Sequence, residues 1–372
     1  METSISLFFK EIEDPRIERH KLYPLEEILL VGLSSIVCGG EGYEDMKLFG
    51  QTRLSVLKQI YPFAQGIASE DTYRRVFMLL DTSEFAGCFA KWMESLHGRV
   101  RGLVAIDGKA ARGSQGERRS PVHMVSAWCH ERGVVMGQVA TDAKSNEIEA
   151  IPRLLELLDL RGSIVTLDAM GCQRAIAAAI VDGGGDYVIA LKGNQSTLCE
   201  DTKEFFEAHR HDQFKEARFE EDLSEETGHG RKEKRHLRAS DDFDGALIKQ
   251  QRHWKALRSV IEVESEQTRA GKPQKEKRYY ISSLPPDAAK LATAIRAHWS
   301  IENQLHWTLD VTFAEDRSRI RKGQGPQNMS ILRHLAVGLL KADPQPKLSL
   351  RRKVKKAAWS DDYLTQVLAA DF

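Results

Sequence analysis

Several features that announce whole classes of protein are missing from this chain. Its 372 residues include five cysteines, Cys38, Cys88, Cys129, Cys172 and Cys199, an odd number with no CxxC spacing. That excludes a disulfide framework and a zinc knuckle, and it suits a reducing, cytoplasmic compartment. Long hydrophobic runs are absent too. The best, from Ile28, is short and directly follows Glu26 and Glu27, and no basic stretch leads into an apolar one at the N-terminus, so membrane insertion is not expected. There is no net charge, with 54 lysines and arginines against 54 aspartates and glutamates. Without a global basic field, any nucleic-acid surface has to be a local patch. Gly183 to Gly185 lacks the lysine and serine of a phosphate-cradling loop, no HExxH pattern occurs, and no internal repeat or low-complexity tract stands out.

What is present is an ordered change of texture. Up to about residue 98 the pattern is helical. Pro24 suits a first helical turn, an amphipathic run reaches Cys38 and stops at Gly39-Gly40, a second helix is expected from Tyr43 to Tyr61, a third opens at Ser69, and a fourth covers Ser83 to Leu96. The third carries Arg74 and Arg75 beside its apolar side, which suits either a DNA-end-binding module or a helical cap with solvated arginines. From Arg99 the texture is extended, with strands expected at Leu103 to Asp107, Val122 to Cys129 and Gly133 to Ala140. A helix (Glu147 to Leu158), a strand (Ser163 to Leu167), a helix (Gln173 to Val181) and a strand (Asp186 to Leu191) follow. That order fits an α/β ribonuclease-H-like core: a mixed five-stranded sheet with flanking helices, the first strand central and the fourth beside it. After a helix from Leu198 to His209 comes a strand-rich insertion at about 210–285, then a helix carrying Glu302, and another from Pro326 to Leu340 with an apolar face of Ile331, Leu335 and Leu339. The expected division is an N-terminal helical domain over 1–98, a core domain over 99–342 interrupted by the insertion, and a basic tail over 343–372. In that tail Arg351, Arg352, Lys353, Lys355 and Lys356 make a solvated face or a phosphate contact.

Three carboxylates carry the chemistry. A helical apolar stripe of Leu291, Ile295, Trp299, Leu305 and Leu309 has Glu302 in its middle. An unpaired carboxylate on a buried face is strongly disfavoured, so either a cation neutralises Glu302 or that face is not buried. Asp107 and Asp168 each end a short apolar run, LVAID and IVTLD. Taken singly, such an aspartate is more often a turn or cap residue than a ligand. Three in this order suggest a shared metal site, and hard oxygen donors suit Mg2+ or Mn2+ rather than zinc or copper. Two such ions could activate a water and stabilise the leaving oxygen in phosphodiester cleavage. Lys192 and Asn194 follow a strand and could reach a phosphate backbone or form a polar turn; Lys109 and Arg112, just past Asp107, are read as further DNA contacts. His298, Glu302 and His306 share a helical face, but a zinc site there would leave both aspartates unexplained. Trp299 and Trp307 are expected in the core, and Cys172 is read as a small buried residue rather than a nucleophile.

The segments VAIDGKAARGS (104–114), KSNEI (144–148), VTLDAMGCQ (165–173), YVIALKGNQ (187–195), GHGR (228–231) and HWSIENQLHWTLDVTFAED (298–316) resemble the DDE transposases of bacterial insertion sequences. The nearest branch is the ISAs-type group that includes the H-repeat-associated proteins. The resemblance covers nearly the whole chain, since Asp14-Pro15-Arg16 and the helical module are similar to that branch's N-terminal associated domain. It implies that Asp107, Asp168 and Glu302 correspond to the catalytic triad and hold two Mg2+ (or Mn2+) ions. The reaction it implies is hydrolytic nicking at the element's ends followed by attack of the freed 3′-hydroxyl on target DNA. The implied partners are terminal inverted repeats, target DNA and a second copy of the chain in a synaptic homodimer. One departure stands out. Broader relatives place a tyrosine, an arginine and a lysine around the glutamate, where this chain has Ile295, His298 and Leu309, so those DNA contacts do not carry over; Arg296, His298 and His306 are the candidates to replace them. Two other functions stay open: a transposase-derived DNA-binding protein that no longer moves DNA, and a ribonuclease-H-like nuclease indifferent to terminal repeats.

Overall fold

The computed structural model describes residues 8–99, 101–116, 120–141, 147–211, 213–215, 217–228, 231–269, 272–345 and 348–370. Of the motif residues quoted above, Lys144, Ser145, Asn146, His229 and Gly230 lie outside these.

Before the first long helix, Arg16 forks onto the Asp14 carboxylate and also donates to the Tyr23 carbonyl at 2.7 Å. Five helices follow, α1 (Leu25–Val37), α2 (Tyr43–Thr52), α3 (Leu54–Leu57), α4 (Glu70–Leu79) and α5 (Thr82–His97). Ser69 caps α4 by accepting from the Thr72 amide, and Asp81 caps α5 by accepting from Ser83 and Glu84. The single helix expected from Tyr43 to Tyr61 is broken at Arg53. That residue leaves helical geometry, and its guanidinium binds the Ala358 carbonyl at 2.6 Å and the Asp361 carboxylate.

Next come β1 (Gly102–Ala111), β2 (Val122–Cys129), β3 (Val134–Thr141), α6 (Glu147–Leu155), β4 (Ser163–Leu167), α7 (Arg174–Asp182), β5 (Asp186–Leu191) and α8 (Ser196–Arg210). The region expected to be an insertion holds β6 (Glu220–Gly228), β7 (Arg231–Ser240), the unexpected helix α9 (Gly245–His253), β8 (Ser259–Arg269) and β9 (Lys272–Ser282). Then follow α10 (Ala288–His298), a π-helix (Ile301–His306), α11 (Trp307–Val311), α12 (Gly325–Ala342), α13 (Leu350–Trp359) and α14 (Asp361–Ala369).

Two compact units share this chain, and β1 passes from one to the other after Asp107. The first comprises Met1–Val100, Gly108–Leu158 and Ile301–Phe372; the second comprises Arg101–Asp107 and Asp159–Ser300. In the first, β2 and β3 form an antiparallel hairpin with β2 next to β1, and α1, α4 and α5 pack on α12. An apolar face was expected for α12; instead it is enclosed all round from Gly325 to Leu340, including Arg333 and His334. The basic tail forms α13 and α14. Lys353 of α13 is buried and donates to the Leu340 and Asp343 carbonyls, while Arg351, Arg352 and Lys355 are exposed.

In the second unit the strand order is β1-β4-β5-β9-β8-β7-β6. β1, β4 and β5 are parallel, and β9 pairs antiparallel with β5. The inserted strands therefore continue the core sheet, which is mixed and larger than the five strands expected. Alternation along the strands sends Leu103, Val188, Leu237, Ile261, Val263 and Tyr280 into one core with Leu291, Ala294 and Ala297 of α10. The first strand is central and the fourth lies beside it, as the ribonuclease-H-like reading requires. No helix among the described residues is long and apolar enough to cross a membrane.

Candidate active site

Asp107, midway along β1, and Asp168, just past the end of β4, are placed by the pairing of those two strands. The register pairs Leu103 with Ile164, Ala105 with Thr166 and Ile106 with Leu167, so the residues that follow, Asp107 and Asp168, come next in the same ladder. Period-two alternation puts both on the face that carries Leu103 and Thr166. The Asp168 Oδ1 accepts from the Met170 amide at 2.9 Å and the Gly171 amide at 3.3 Å, which orients the carboxylate and leaves Oδ2 for another ligand. The same loop is braced by Asn194, whose Nδ2 donates to the Ala169 carbonyl at 2.6 Å. At the end of α10, His298 Nδ1 lies 3.1 Å from Thr166 Oγ1. Burial lowers the His298 pKa, and the nearby Asp168 carboxylate opposes that shift. Asp107, Asp168, Asn194 and His298 thus share one corner of the second unit.

Glu302 lies in the first unit, on the π-helix, and it is exposed. The face it occupies is therefore not buried, which answers the puzzle its position poses. Burial follows Ala297, Ile301, Leu305 and Leu309, each four residues on, because the wider turn adds a residue to the helical repeat. Trp299 and Trp307, expected in the core, are turned outward and are 43% and 58% exposed. Trp299 instead packs on the Arg278 guanidinium, 5.5 Å from its ring centroid. His298 and His306 do not share surroundings as an unbroken helix would give them. Among the described residues no three histidine, cysteine, aspartate or glutamate side chains form a group able to hold a metal ion.

The remaining candidates are spread out. Arg74 and Arg75 are exposed on α4, with Arg74 paired to Asp71. Arg112 is almost fully exposed, Lys192 is exposed, and Arg296 pairs with Glu226. Lys109 has a different environment from the one expected. Its ammonium sits among Asp310 at 2.8 Å, Glu315 at 3.2 Å and Asp316 at 3.4 Å, with its side chain nearly buried. Ala314, in left-handed geometry at φ 51°, turns the chain just before Glu315. Burial alone would raise the Glu315 pKa, but Lys109 and then Arg333 outweigh it and hold the carboxyl at about 2. His306 is beside this cluster; burial, then Lys109, push it down to about 3.

A cavity of about 530 Å³ opens over this cluster, lined by Lys109, His123, His306, Asp310 and Asp316 among others. His123 is bonded to Glu147, both buried, and a Cβ on Gly108 would overlap both side chains, so the residue after Asp107 has to be glycine. None of Glu147, Glu315, Arg333 and His334 was singled out from the sequence. Charged residues inside the apolar run of α12 were the available signal for the last two. Cys172 is buried, its thiol pushed up to about 12 by burial, as suits a packing residue.

Comparison with known families bears on this geometry. Residues 75–339 match the family described as Transposase DDE domain, and residues 7–93 match the one described as DDE_Tnp_1-associated. The chain belongs to the DDE transposases. Within them it falls with the H-repeat-associated proteins. It is 41% identical over 93% of both chains to "H repeat-associated putative transposase YhhI" of Escherichia coli K12. It is 39% identical to "Putative transposase YncI" of Escherichia coli O157:H7, over 98% of this chain and 94% of that one. A solved piggyBac transposase synaptic complex with hairpin DNA is similar over 98% of this chain and 80% of that one, at 11% identity and a TM-score of 0.46, a likeness too weak to bear on function.

Proposed function

We propose that this DDE transposase nicks DNA at the ends of an insertion sequence and joins the freed 3′-hydroxyl to target DNA, with Asp107, Asp168 and Glu302 as its catalytic carboxylates. The observation that carries the proposal is the β1–β4 register, which makes Asp107 and Asp168 neighbours on one face in a chain matched to the DDE family over 75–339. The donor set is all carboxylate oxygen, and Asp168 keeps Oδ2 clear of its turn bonds, so the residues suit Mg2+ or Mn2+. Bound there, a pair of such ions would supply charge neutralisation of the phosphodiester and an acidified water.

This chain's own residues do the rest. Backbone amides of Met170 and Gly171 orient Asp168, and Asn194 holds the loop. His298, kept neutral by burial, contacts the substrate by hydrogen bonding rather than by charge. Exposed Arg112 and Lys192 are the phosphate contacts nearest in sequence to the strand ends. Arg74 and Arg75 suit recognition of the terminal inverted repeats by the helices of residues 1–98, with residues 99–342 as the catalytic domain and the basic helices beyond as a further DNA contact. Action on two ends calls for a homodimer in the synaptic complex, working in the cytoplasm.

The test is a supercoiled plasmid carrying the element's ends, with Mg2+ or with EDTA. Asp107→Asn, Asp168→Asn and Glu302→Gln should each lower nicking at least about a thousandfold, and EDTA should abolish it. Full cleavage by all three variants would remove the triad. Binding of terminal repeats without any metal-dependent nicking would instead mark a derived DNA-binding protein, and cleavage indifferent to the repeats would mark a nuclease.

A further inference from the structure

In the first unit, Lys341 on the last turn of α12 lies 4.5 Å from the centroid of the Trp128 ring. With Arg132, Leu96, His97, Ala342 and Ala370 it lines an open cavity of about 480 Å³. Neither Lys341 nor Arg132 has a carboxylate partner among the described residues. His97 Nε2 is buried there without a hydrogen-bond partner. The nearest acid on the following turn, Asp343, is already answered by Lys353 at 3.6 Å and by the Tyr363 hydroxyl, which donates to it at 2.5 Å.

Backbone geometry keeps the cavity open. Gly133, at φ +65°, is the turn residue between β2 and β3, and a Cβ there would come within 2.9 Å of the Lys341 ammonium. Gly98, also at positive φ, has only the Arg132 guanidinium near its Cβ position. The carbonyl end of α12 offers Lys341 partial negative charge. It is not enough: burial, then the charge of Lys353, push the ammonium down to about 8. The cluster is short of an anion.

We propose that this cavity binds a phosphate group, gripped by Lys341 and Arg132 with His97 Nε2 alongside. An arginine fork with a lysine point charge beside it matches the oxygens of phosphate. In a DNA-transposing enzyme the phosphate belongs to the DNA backbone, and that source rests on the function proposed above; inorganic phosphate presents the same chemistry.

Competitive labelling of the full chain separates the two sources. A brief pulse of an amine-acylating reagent at pH 7.5 in phosphate-free buffer is followed by mass spectrometry of Lys341, with exposed Lys203 of α8 as the reference. Inorganic phosphate should cut acylation of Lys341 at least about threefold and leave Lys203 unchanged, whether or not the protein binds DNA. Duplex DNA should protect Lys341 in the same way if its backbone is the source. Protection by inorganic phosphate alone keeps the pocket and overturns DNA as its occupant. Unchanged Lys341 labelling in both arms overturns the pocket itself. In DNA-binding titrations, Lys341→Met should take about 0.9 off the slope of log K against log salt, while Lys341→Arg retains it.

Discussion

At the scale of single residues, Lys109 shows how a charge beside a reactive strand can be structural. Three carboxylates within 3.4 Å leave its ammonium no freedom to serve a phosphate, and Glu315 in turn accepts from Ser330 at 2.8 Å. Lys109→Met should therefore cost about 3–5 kcal/mol in urea unfolding, because it strands buried acid rather than merely removing a contact. A loss below about 1 kcal/mol would refute the cage. His306 makes the same region sensitive to acid. Its folded pKa of about 3 lies below the ordinary 6.5, so between those values the unfolded chain binds more protons and stability falls as pH drops. Glu315, also depressed, adds a loss only from about 4.5 down to 2. The urea midpoint should fall between pH 6.5 and 5, with His306 contributing up to about 1.4 kcal/mol per pH unit. His306→Gln should flatten that slope, and an unchanged slope would exclude His306 as its source. The apolar runs LVAID and IVTLD could be read from sequence as strands, although β1 continues past Asp107 to Ala111. The cage could not, since Lys109 and its partners are some two hundred residues apart and only folding joins them.

At the scale of elements, the π-helix decides how Glu302 is presented. Leu291, Ile295, Trp299, Leu305 and Leu309 read as one α-helical stripe, yet the extra residue in the Ile301–His306 turn moves the buried line to Ile301, Leu305 and Leu309 and turns Trp299 and Trp307 out. Removing exposed Asn303 should close the turn to α geometry and rotate Glu302 by about 100° against the rest of the helix. The expected outcome is near-normal circular dichroism and melting, with nicking lost about as fully as in Glu302→Gln. Retained nicking would show that the π turn is incidental. The inserted strands are an element the alternating charges did announce. On one face the columns alternate in sign, with Lys234 near Glu225 at 3.6 Å, Arg238 near Glu262 at 3.3 Å and Lys277 near Glu264 at 3.6 Å. The pattern identified strands; it could not say that β9 would pair with β5 and extend the core sheet.

At the scale of the whole molecule, packing does not follow sequence order. The N-terminal helices belong with α12: Asn328 Nδ2 donates to the Phe77 and Leu80 carbonyls, Gly338 of α12 admits Met93, and Gly32 of α1 admits Phe77. A chain beginning at residue 99 should therefore expose the apolar surface around α12 and be aggregated or without a cooperative urea transition, despite carrying all three carboxylates. A monodisperse, cooperatively unfolding fragment would show instead that residues 1–98 are a separable module. The sequence by itself determined the strand and helix order of the core and the resemblance to DDE transposases, because period and motif are local properties. Only the tertiary structure decided which cations are buried by acids, which are left facing a cavity, where the glutamate helix widens, and that chain segments far apart in sequence make one unit. Those outcomes depend on which distant side chains share a desolvated space, and no local pattern records that.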